Sequence, residues 1–427
     1  MRKDMKEHIE IMNGNKASVN YKKVAGCFFP KEWKIIRLKD YFERISQKNI
    51  YGNDNVLTIS AQEGLISQKE FFNRSVAGED KTSYFLMKKG DFAYNKSYSK
   101  GYPFGAVKRL DRYDEGIVSP LYICMSCKYQ EYSDYFTHYF ECGLINREIK
   151  AFAQEGARNH GLLNIGLEDF FNMKLCIPDV EEAKRITSML EMCAKEVKLL
   201  QELIFMKNRL KKGLIQKLDK QELKIDGHDP KYKKVYLKDV LNEVKSKKGN
   251  HNLDICSVAV NRGVVNQEEH MGRNYAAEDT TNYNVVNYGD IVYTKSPTGQ
   301  FPYGIIKQSY IEKSVAVSPL YGVFTSGDFN LNYLITTYFQ DSNNVYRYLH
   351  PIVNKGAKNT INISNNTFLS KTIILPTDEY TKEKLVVIFD TLCAEIGLLE
   401  ERLEMAKLKK RTIMKLLLTG AVRVNEN

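Results

Sequence analysis

The chain has 427 residues, enough for two or three domains, and its hydrophobic fraction of 43% excludes a disordered protein. Its formal net charge of +11 favours an anionic partner, with nucleic acid ahead of a membrane surface. The sequence has no run of about 18 apolar residues, and its polar N-terminus lacks the apolar segment of a secretion signal. We therefore expect a cytoplasmic protein that does not enter a membrane.

The main feature along the chain is an internal repeat. Leu38-Lys39-Asp40 returns as Leu237-Lys238-Asp239, at an offset of 199 residues. Residues 74–122 and 273–321 align without a gap and share 19 of 49 positions. A duplicated unit of this length predicts two similar domains that perform two similar tasks.

The first half predicts one globular domain over residues 31–178. Residues 1–30 have no counterpart in the second half and are predicted to be an N-terminal extension. Strand patterns occur at 56–59, 91–94 and 117–125, followed by a helical stretch at about 134–152 and a strand at 173–177.

A long helix is predicted at 179–219, where Asp179 and Glu182 have the spacing of a capping box. Its apolar residues follow a heptad pattern that would place them on one face of the helix. Further along the helix the apolar residues move to a neighbouring face. The heptad set is Ile186, Leu190, Cys193, Val197, Leu200 and Ile204, and the shifted set is Leu203, Met206, Leu210 and Leu214. A polar connector at 220–230 leads to a second globular domain at 231–376.

A second long helix is predicted at 377–420. Its heptad set is Leu385, Phe389, Leu392, Ile396, Leu399, Leu403 and Ala406, extended by Ile413 and Leu417. Each helix spans about 60 Å, and two such apolar stripes in one chain can bury each other. The sequence thus predicts an α+β protein in which two tandem α/β domains are joined by two long helices. The helices form an antiparallel coiled coil, and the internal repeat gives the chain pseudo-twofold symmetry.

No catalytic motif is found in the chain. It lacks a phosphate loop, a dinucleotide fingerprint, a zinc-protease motif, a nucleophile elbow and a nuclease cluster of carboxylates and lysine. All ten prolines are isolated, which excludes the Asn-Pro-Pro motif of amino-methyltransferases. Cys124 and Cys127 have a superficial zinc spacing, but the second copy has Val323 and Ser326 at these positions. We therefore predict no catalytic residue and no metal site.

The ordered elements of each half resemble the specificity (S) subunits of type I restriction-modification systems. Each half has a Leu-Lys-Asp element, a Gly-Asp strand start, a Val-Ser-Pro-Leu-Tyr segment and a Gly-Ala-Arg/Lys-Asn loop. A strand ending in proline and a heptad helix with a Leu-Lys-Lys tail follow each time. The resemblance covers about residues 31–420. The Glu-Gln pair at the helix start and the Pro-rich spacing that are frequent in the family are absent.

The resemblance implies a subunit that binds double-stranded DNA and is not itself an enzyme. Its two domains would be target recognition domains, each reading half of a bipartite site, and the helices would set the gap between the halves. Two methyltransferase subunits would dock on the chain and methylate adenine, and restriction subunits would cut unmodified DNA. S-adenosylmethionine, ATP and Mg would be bound by those partners, and no cofactor by this chain. A methylation-only or type II-like system is the alternative, because the difference lies in the partners.

The repeat divides the candidate DNA-binding residues into two classes. Residues identical in both halves cannot distinguish two half-sites, so they are predicted to be scaffold or phosphate contacts. These are Arg74 and Arg273, Lys96 and Lys295, and the charge-retaining pair Arg158 and Lys358. Lys108 and Lys307 also belong here, with a solvated strand edge as an equal interpretation. For Arg74 and Arg273, an internal ion pair with the following Glu-Asp is equally open.

Base-reading residues are predicted where the halves differ within a shared frame. The first candidate is the loop after the common Lys-Ser, because polar side chains there can reach base edges. It contains Tyr98 and Lys100 in the first half and Thr298 and Gln300 in the second. The second candidate is the loop around Asn159 and Asn359, where backbone capping by asparagine is the alternative.

Overall fold

A computed structural model describes residues 20–60, 63–72, 80–99, 101–155, 163–225, 227–268, 278–299, 301–355 and 361–424. The chain forms two compact units. The first comprises residues 1–199 and 402–427, and the second comprises residues 200–401. Each unit includes part of both long helices, whereas the sequence predicted spacer helices separate from the recognition domains. The reason is that the apolar face of each helical segment enters the core of its unit.

The elements of the first unit are mostly short strands with small helices. In chain order they are β1 (Tyr21–Val24), β2 (Cys27–Pro30), β3 (Lys34–Arg37), α1 (Leu38–Tyr41), β4 (Phe42–Arg44), β5 (Leu57–Ser60), β6 (Gly64–Ser67), α2 (Gln68–Phe72), β7 (Phe85–Lys88), β8 (Phe92–Asn95), β9 (Ala106–Arg109), β10 (Glu115–Val118), β11 (Ile123–Cys127), α3 (Ser133–Glu141), α4 (Asn146–Phe152), β12 (Gln154–Glu155), β13 (Leu163–Asn164), α5 (Leu167–Asn172) and β14 (Lys174–Ile177). The long helix α6 (Val180–Asp219) follows.

The second unit repeats this order. Its elements are β15 (Tyr232–Tyr236), α7 (Leu237–Val240), β16 (Asn242–Glu243), β17 (Ile255–Ala259), β18 (Gly263–Asn266), β19 (Asn284–Val286), β20 (Ile291–Tyr293), β21 (Ile306–Gln308), β22 (Val315–Val317), β23 (Gly322–Thr325), α8 (Phe329–Tyr338), α9 (Ser342–Leu349), β24 (Asn354–Lys355), β25 (Ile361–Asn362), α10 (Asn365–Leu369) and β26 (Thr372–Pro376). The chain then enters the long helix α11 (Glu379–Leu418).

A four-stranded antiparallel sheet lies at the centre of each unit. Its strand order is β4-β11-β8-β9 in the first unit and β16-β23-β20-β21 in the second. Ala93 pairs with Lys108 in one sheet, and Val292 pairs with Lys307 in the other. These pairs are separated by the repeat offset, so the duplicated sequence has the same strand register in both units.

Aromatic side chains fill the space beneath each sheet. The Tyr94 ring of β8 stacks on Phe170 with 5.0 Å between centroids, and Tyr293 of β20 stacks on Phe368 at 4.9 Å. All four rings are buried. Burying large aromatic rings in offset or tilted contacts stabilises a core beyond simple area burial. The shared tyrosines are therefore structural residues of both units.

Part of the predicted N-terminal extension at 1–30 packs against the first unit. Its residues 21–30 form the antiparallel hairpin β1–β2, whose Val24 and Phe29 side chains are buried in the first core. The Tyr21 hydroxyl donates to the Gly420 carbonyl oxygen at 3.2 Å. A segment without a counterpart in the repeat can still bury apolar surface, and this one does. Residues 1–19 lie outside the described residues.

Two other predicted elements are each divided in the structure. The expected strand at 117–125 is interrupted by a turn, in which the Tyr122 amide donates to the Ser119 carbonyl oxygen at 3.1 Å. Pro120 has no amide hydrogen for a sheet ladder, which favours the turn. The expected helix at 134–152 is two helices, because Gly143 at φ +72° leaves the helical conformation between them.

The two long helices begin next to aspartate caps. The Glu182 amide donates to Asp179 Oδ1 at 2.8 Å, and the Thr381 amide donates to Asp378 Oδ1 at 2.8 Å. The expected capping box is only half present, because the Glu182 side chain instead binds Trp33 and Arg423. Among the helices of the described residues, none is long and apolar enough to cross a membrane.

The helical segments run antiparallel within each unit. In the first unit Glu182 pairs with Arg423, which follows the C-terminal end of α11, and Glu196 pairs with Lys409 of α11 at 3.3 Å. In the second, Lys207 pairs with Glu395 at 2.5 Å, and the Lys211 ammonium donates to Cys393 Sγ at 3.6 Å. Since the partner number falls as the residue number rises, the antiparallel prediction is confirmed in each unit.

The seam of α6 does not shift as predicted. Leu203, Met206 and Leu210 are exposed, whereas Ile215 and Leu218 are buried. The fourth member of the predicted set, Leu214, is partly buried and packs against the second core. The buried face continues from Ile204 through two partly buried lysines, Lys207 and Lys211. Lysine stems cover apolar surface while their ammonium groups reach polar partners, so a pattern based on apolar residues alone misses these positions.

Candidate nucleic-acid interface

Four of the predicted DNA-binding residues lie in described parts of the structure. They are Lys96 and Tyr98 in the first unit and Lys295 and Thr298 in the second. The other eight lie outside the described residues. These are Arg74, Lys100, Arg158, Asn159, Arg273, Gln300, Lys358 and Asn359.

The four residues belong to a loop that both units hold in the same way. The Tyr94 hydroxyl donates to the Phe104 carbonyl oxygen at 2.6 Å, and the Tyr293 hydroxyl donates to the Tyr303 carbonyl oxygen at 2.7 Å. The next residue in each unit is a glycine with positive φ. A Cβ at Gly105 would lie 2.2 Å from the Asn95 carbonyl oxygen. The end of the loop is thus fixed against the strand by a close backbone approach.

The loop is also closed near its tip by equivalent backbone hydrogen bonds in the two units. Backbone hydrogen bonds join Ser99 to Tyr102 and Thr298 to Phe301, with distances of 2.8–3.3 Å. Tyr98 is 64% exposed, and Thr298 is exposed as well. One backbone frame therefore presents different side chains to solvent in the two units, as reading of two different half-sites requires.

Lys96 lies in a cationic environment. Its side chain lines a small cavity of about 110 Å³ together with Arg44 and Leu121, and that lining contains no acidic residue. Lys96 is half-buried and forms no ion pair with a described residue. Two cations that have no ion-pair partner in the described parts of the chain suit contact with a phosphate oxygen.

Lys295 occupies the equivalent position in the second unit but has an acidic neighbour. Glu243, the counterpart of Arg44, lies near Lys295 and accepts a hydrogen bond from Asn365 Nδ2 at 2.6 Å. Burial lowers the pKa of Lys295, and the Glu243 carboxylate opposes this shift. The Glu243 carboxylate therefore partly neutralises the charge of Lys295. Lys96 is the stronger candidate for a phosphate contact.

Lys108 has an internal partner that the sequence did not indicate. Its ammonium binds the Glu141 carboxylate and lies 4.7 Å from the centroid of the Tyr102 ring. The interpretation of Lys108 as a solvated strand edge is wrong, because the side chain is largely buried in an ion pair. This contact removes Lys108 from the candidate interface.

Comparison with solved structures shows the fold. The S subunit from M. genitalium is 12% identical, with a TM-score of 0.52 and coverage of 96% of this chain and 99% of that chain. A solved structure concerned with complex assembly and conformational transition of the type I R-M system is 13% identical, with a TM-score of 0.51 and coverage of 92% and 99%. The chain has the fold of a type I S subunit. No protein-family model and no curated relative matches it.

Four cysteines of this S-subunit fold are buried, namely Cys124, Cys127, Cys176 and Cys256. Burial raises the pKa of the Cys124 thiol to about 12 and that of the Cys127 thiol to about 11. Cys127 Sγ donates to the Tyr129 carbonyl oxygen at 3.2 Å. Burial is also the main reason that the pKa of His138 falls to about 4. Among the described residues, no group of histidine, cysteine and carboxylate side chains could hold a metal ion.

The sequence analysis missed two exposed leucines at equivalent positions of the S-subunit fold. Leu121 is 60% exposed and Leu320 is 76% exposed, each in a Ser-Pro-Leu turn. Their amides donate to Ser119 Oγ and Ser318 Oγ, both at 3.3 Å. The signal in the sequence is an identical leucine after Ser-Pro in both halves. The sequence predicts a strand at this leucine in the first half, whereas the structure has a turn. These leucines adjoin the shared part of the candidate interface, since Leu121 lines the cavity of Lys96.

Proposed function

We propose that this chain is the specificity subunit of a type I restriction-modification complex. It reads a bipartite double-stranded DNA target and directs adenine methylation or cleavage by partner subunits. The observation that carries the proposal is a loop with equivalent backbone hydrogen bonds in both units but different residues, Tyr98-Ser99 in one and Pro297-Thr298 in the other. Tyr98 and Thr298 are the exposed candidates for base reading. In this proposal the features common to both loops position each domain on the DNA phosphate backbone. The side chains that differ between the loops supply the sequence preference.

The long helices support docking of partner subunits. Leu203, Met206 and Leu210 of α6 are exposed at steps of three and four, so they share one face of the helix. Exposed apolar stripes of this kind mark protein interaction surfaces. In the proposed complex this face contacts methyltransferase subunits, which contribute S-adenosylmethionine. Restriction subunits contribute ATP-dependent cleavage with Mg.

A methylation-only or type II-like system is the second candidate function. Its recognition subunit would use the same two domains and the same loop frame, and only its partners would differ. An adaptor protein with two protein-binding domains predicts no DNA binding. A stand-alone modifying enzyme predicts that this chain binds S-adenosylmethionine by itself.

DNA binding by the purified full-length chain tests the proposal. With about 6–10 phosphate contacts, we expect the logarithm of the association constant to fall against the logarithm of salt concentration with a slope of about −5 to −9. Fluorescence anisotropy of a labelled duplex measures this slope. The absence of salt-dependent binding would contradict the proposal and favour the adaptor.

Lys96→Ala should weaken binding to every duplex sequence by about tenfold and make the slope shallower by about one. The reason is that Lys96 and Arg44 line the same small cavity, where none of the described residues is a carboxylate. Lys295→Ala is the matched variant and should have a smaller effect, since Glu243 lies near Lys295. Equal effects of the two substitutions would contradict the assignment of unequal phosphate contacts.

A further inference from the structure

The second unit contains a cavity that the proposed function does not use. Its volume is about 480 Å³, within the range of pockets for small ligands. It is bounded by α6, α8, α11, β21 and the turn before β18. Its lining includes Asn208, Lys211, Arg262, Lys307, Tyr333 and Gln340.

The cavity holds cations without carboxylate partners. Lys307 and Lys211 form no ion pair with a described residue, and the Lys211 ammonium donates only to Cys393 Sγ, at 3.6 Å. Burial and the nearby Lys211 charge lower the pKa of Lys307 to about 8. The acidic residues of the lining, Asp390 and Glu400, are exposed and pair with neither lysine. Two ammonium groups that repel each other in a partly buried site favour a bound anion.

The first unit fills the equivalent site with its own carboxylates. Lys108, the counterpart of Lys307, binds Glu141, whereas the second unit has Gln340 at that position. The first unit also has Asp134, Asp111 and Glu63 where the second has Tyr333, Tyr310 and Arg262. Asp134 and Asp111 bind Arg109 at 2.6 and 2.7 Å. Those two carboxylates and Arg109 are all absent from the second unit, which has Gln308 at the arginine position. The second unit therefore keeps the lysine but lacks Glu141, the carboxylate that pairs with it in the first unit.

We propose that this cavity binds a phosphate-bearing ligand of mononucleotide size, with the phosphate between Lys211 and Lys307. Arg262 lies at the exposed rim, and the amides of Asn208 and Gln340 add polar lining. The Tyr310 and Tyr333 side chains form an aromatic wall that a base can contact. The phosphate can belong to a free nucleotide or to a DNA backbone. Binding of a free nucleotide would not depend on the proposed function, whereas binding of a DNA phosphate rests on it.

Isothermal titration calorimetry of the full-length chain with adenosine monophosphate, and separately with inorganic phosphate, tests the site at low salt. We expect one bound phosphate compound per chain. Lys307→Met should weaken binding about tenfold or more, because it removes a charged partner. Gln340→Glu should have the same effect, because it rebuilds the internal ion pair of the first unit. Lys313→Met removes an exposed lysine of the same unit and should change nothing.

Titration of a short duplex distinguishes the two sources of phosphate. A DNA phosphate is the ligand if two results are obtained together. Adenosine monophosphate does not bind, and Lys307→Met and Gln340→Glu each make the dependence of the logarithm of the duplex association constant on the logarithm of salt concentration shallower by about one. Thermal unfolding of each variant checks that it is folded, and Gln340→Glu provides a second test if Lys307→Met is not. If neither substitution changes binding of either phosphate compound or of duplex DNA in the folded variants, the proposal is overturned.

Discussion

Glu182→Ala is expected to destabilise the first unit by about 3–5 kcal/mol, the usual cost of removing one partner of a buried ion pair. The Glu182 side chain is 3% exposed. It accepts a hydrogen bond from Trp33 Nε1 at 3.0 Å and two from Arg423, at 2.6 and 2.8 Å. Without this carboxylate the indole N–H is buried without a partner, and the guanidinium retains only Glu32.

Urea denaturation of the full-length chain measures this loss. Lys184→Ala is the control on the same turn of helix, where an exposed pair with Glu181 contributes less than about 1 kcal/mol. The double variant Glu182→Ala, Arg423→Ala should lose much less than the sum of the two single variants, because both remove the same contact. Additive losses, or a loss near that of Lys184→Ala, would show that this contact does not hold the helix to the first core.

Tyr98→Ala is expected to relax base preference in one half of the target and leave the other half unchanged. Thr298→Ala should do the same for the opposite half. Each exposed side chain lies on a loop whose backbone is fixed by shared contacts, so the substitutions alter the reading surface and not the frame. Loss of one base contact corresponds to about 1–3 kcal/mol of discrimination, or roughly 5- to 150-fold.

Sequencing of DNA selected from a random duplex library by each variant measures these preferences. Tyr129→Ala is a matched control, because Tyr129 is a partly exposed tyrosine of the same unit that packs on Tyr41. It should leave the selected motif unchanged. A change in both halves by either variant, or in neither half by both, would contradict the assignment of one half-site to each unit.

The overall fold was predictable because its signals are local or repeated. The repeat predicts two units with the same strand register, and the paired strands of Lys108 and Lys307 confirm this. Heptad spacing predicts two long helices, and the antiparallel contacts within each unit confirm their direction. The predicted seam fails beyond Ile204, because the stems of Lys207 and Lys211 occupy the buried face.

The contacts that define the candidate site could not be predicted from the sequence. Lys108 and Glu141 are 33 residues apart, and their pairing depends on how α3 packs on β9. The hairpin at 21–30 has no repeat partner, so its place in the core depends on tertiary packing alone. The two lysines that look identical in the repeat, Lys96 and Lys295, differ because Arg44 is replaced by Glu243 beside them. Predicting each of these contacts requires knowledge of which elements distant in sequence pack against each other.

The adenine methylome of host cells with and without this gene, determined by single-molecule sequencing, tests the central claim most directly. The proposed function predicts that removing the gene abolishes methylation at one bipartite motif, with two short half-sites around a gap of fixed length. Restoring the gene with Tyr98→Ala should return a motif that is altered in one half only. A methylome that is unchanged by removal of an expressed gene would contradict the proposal that this chain directs adenine methylation.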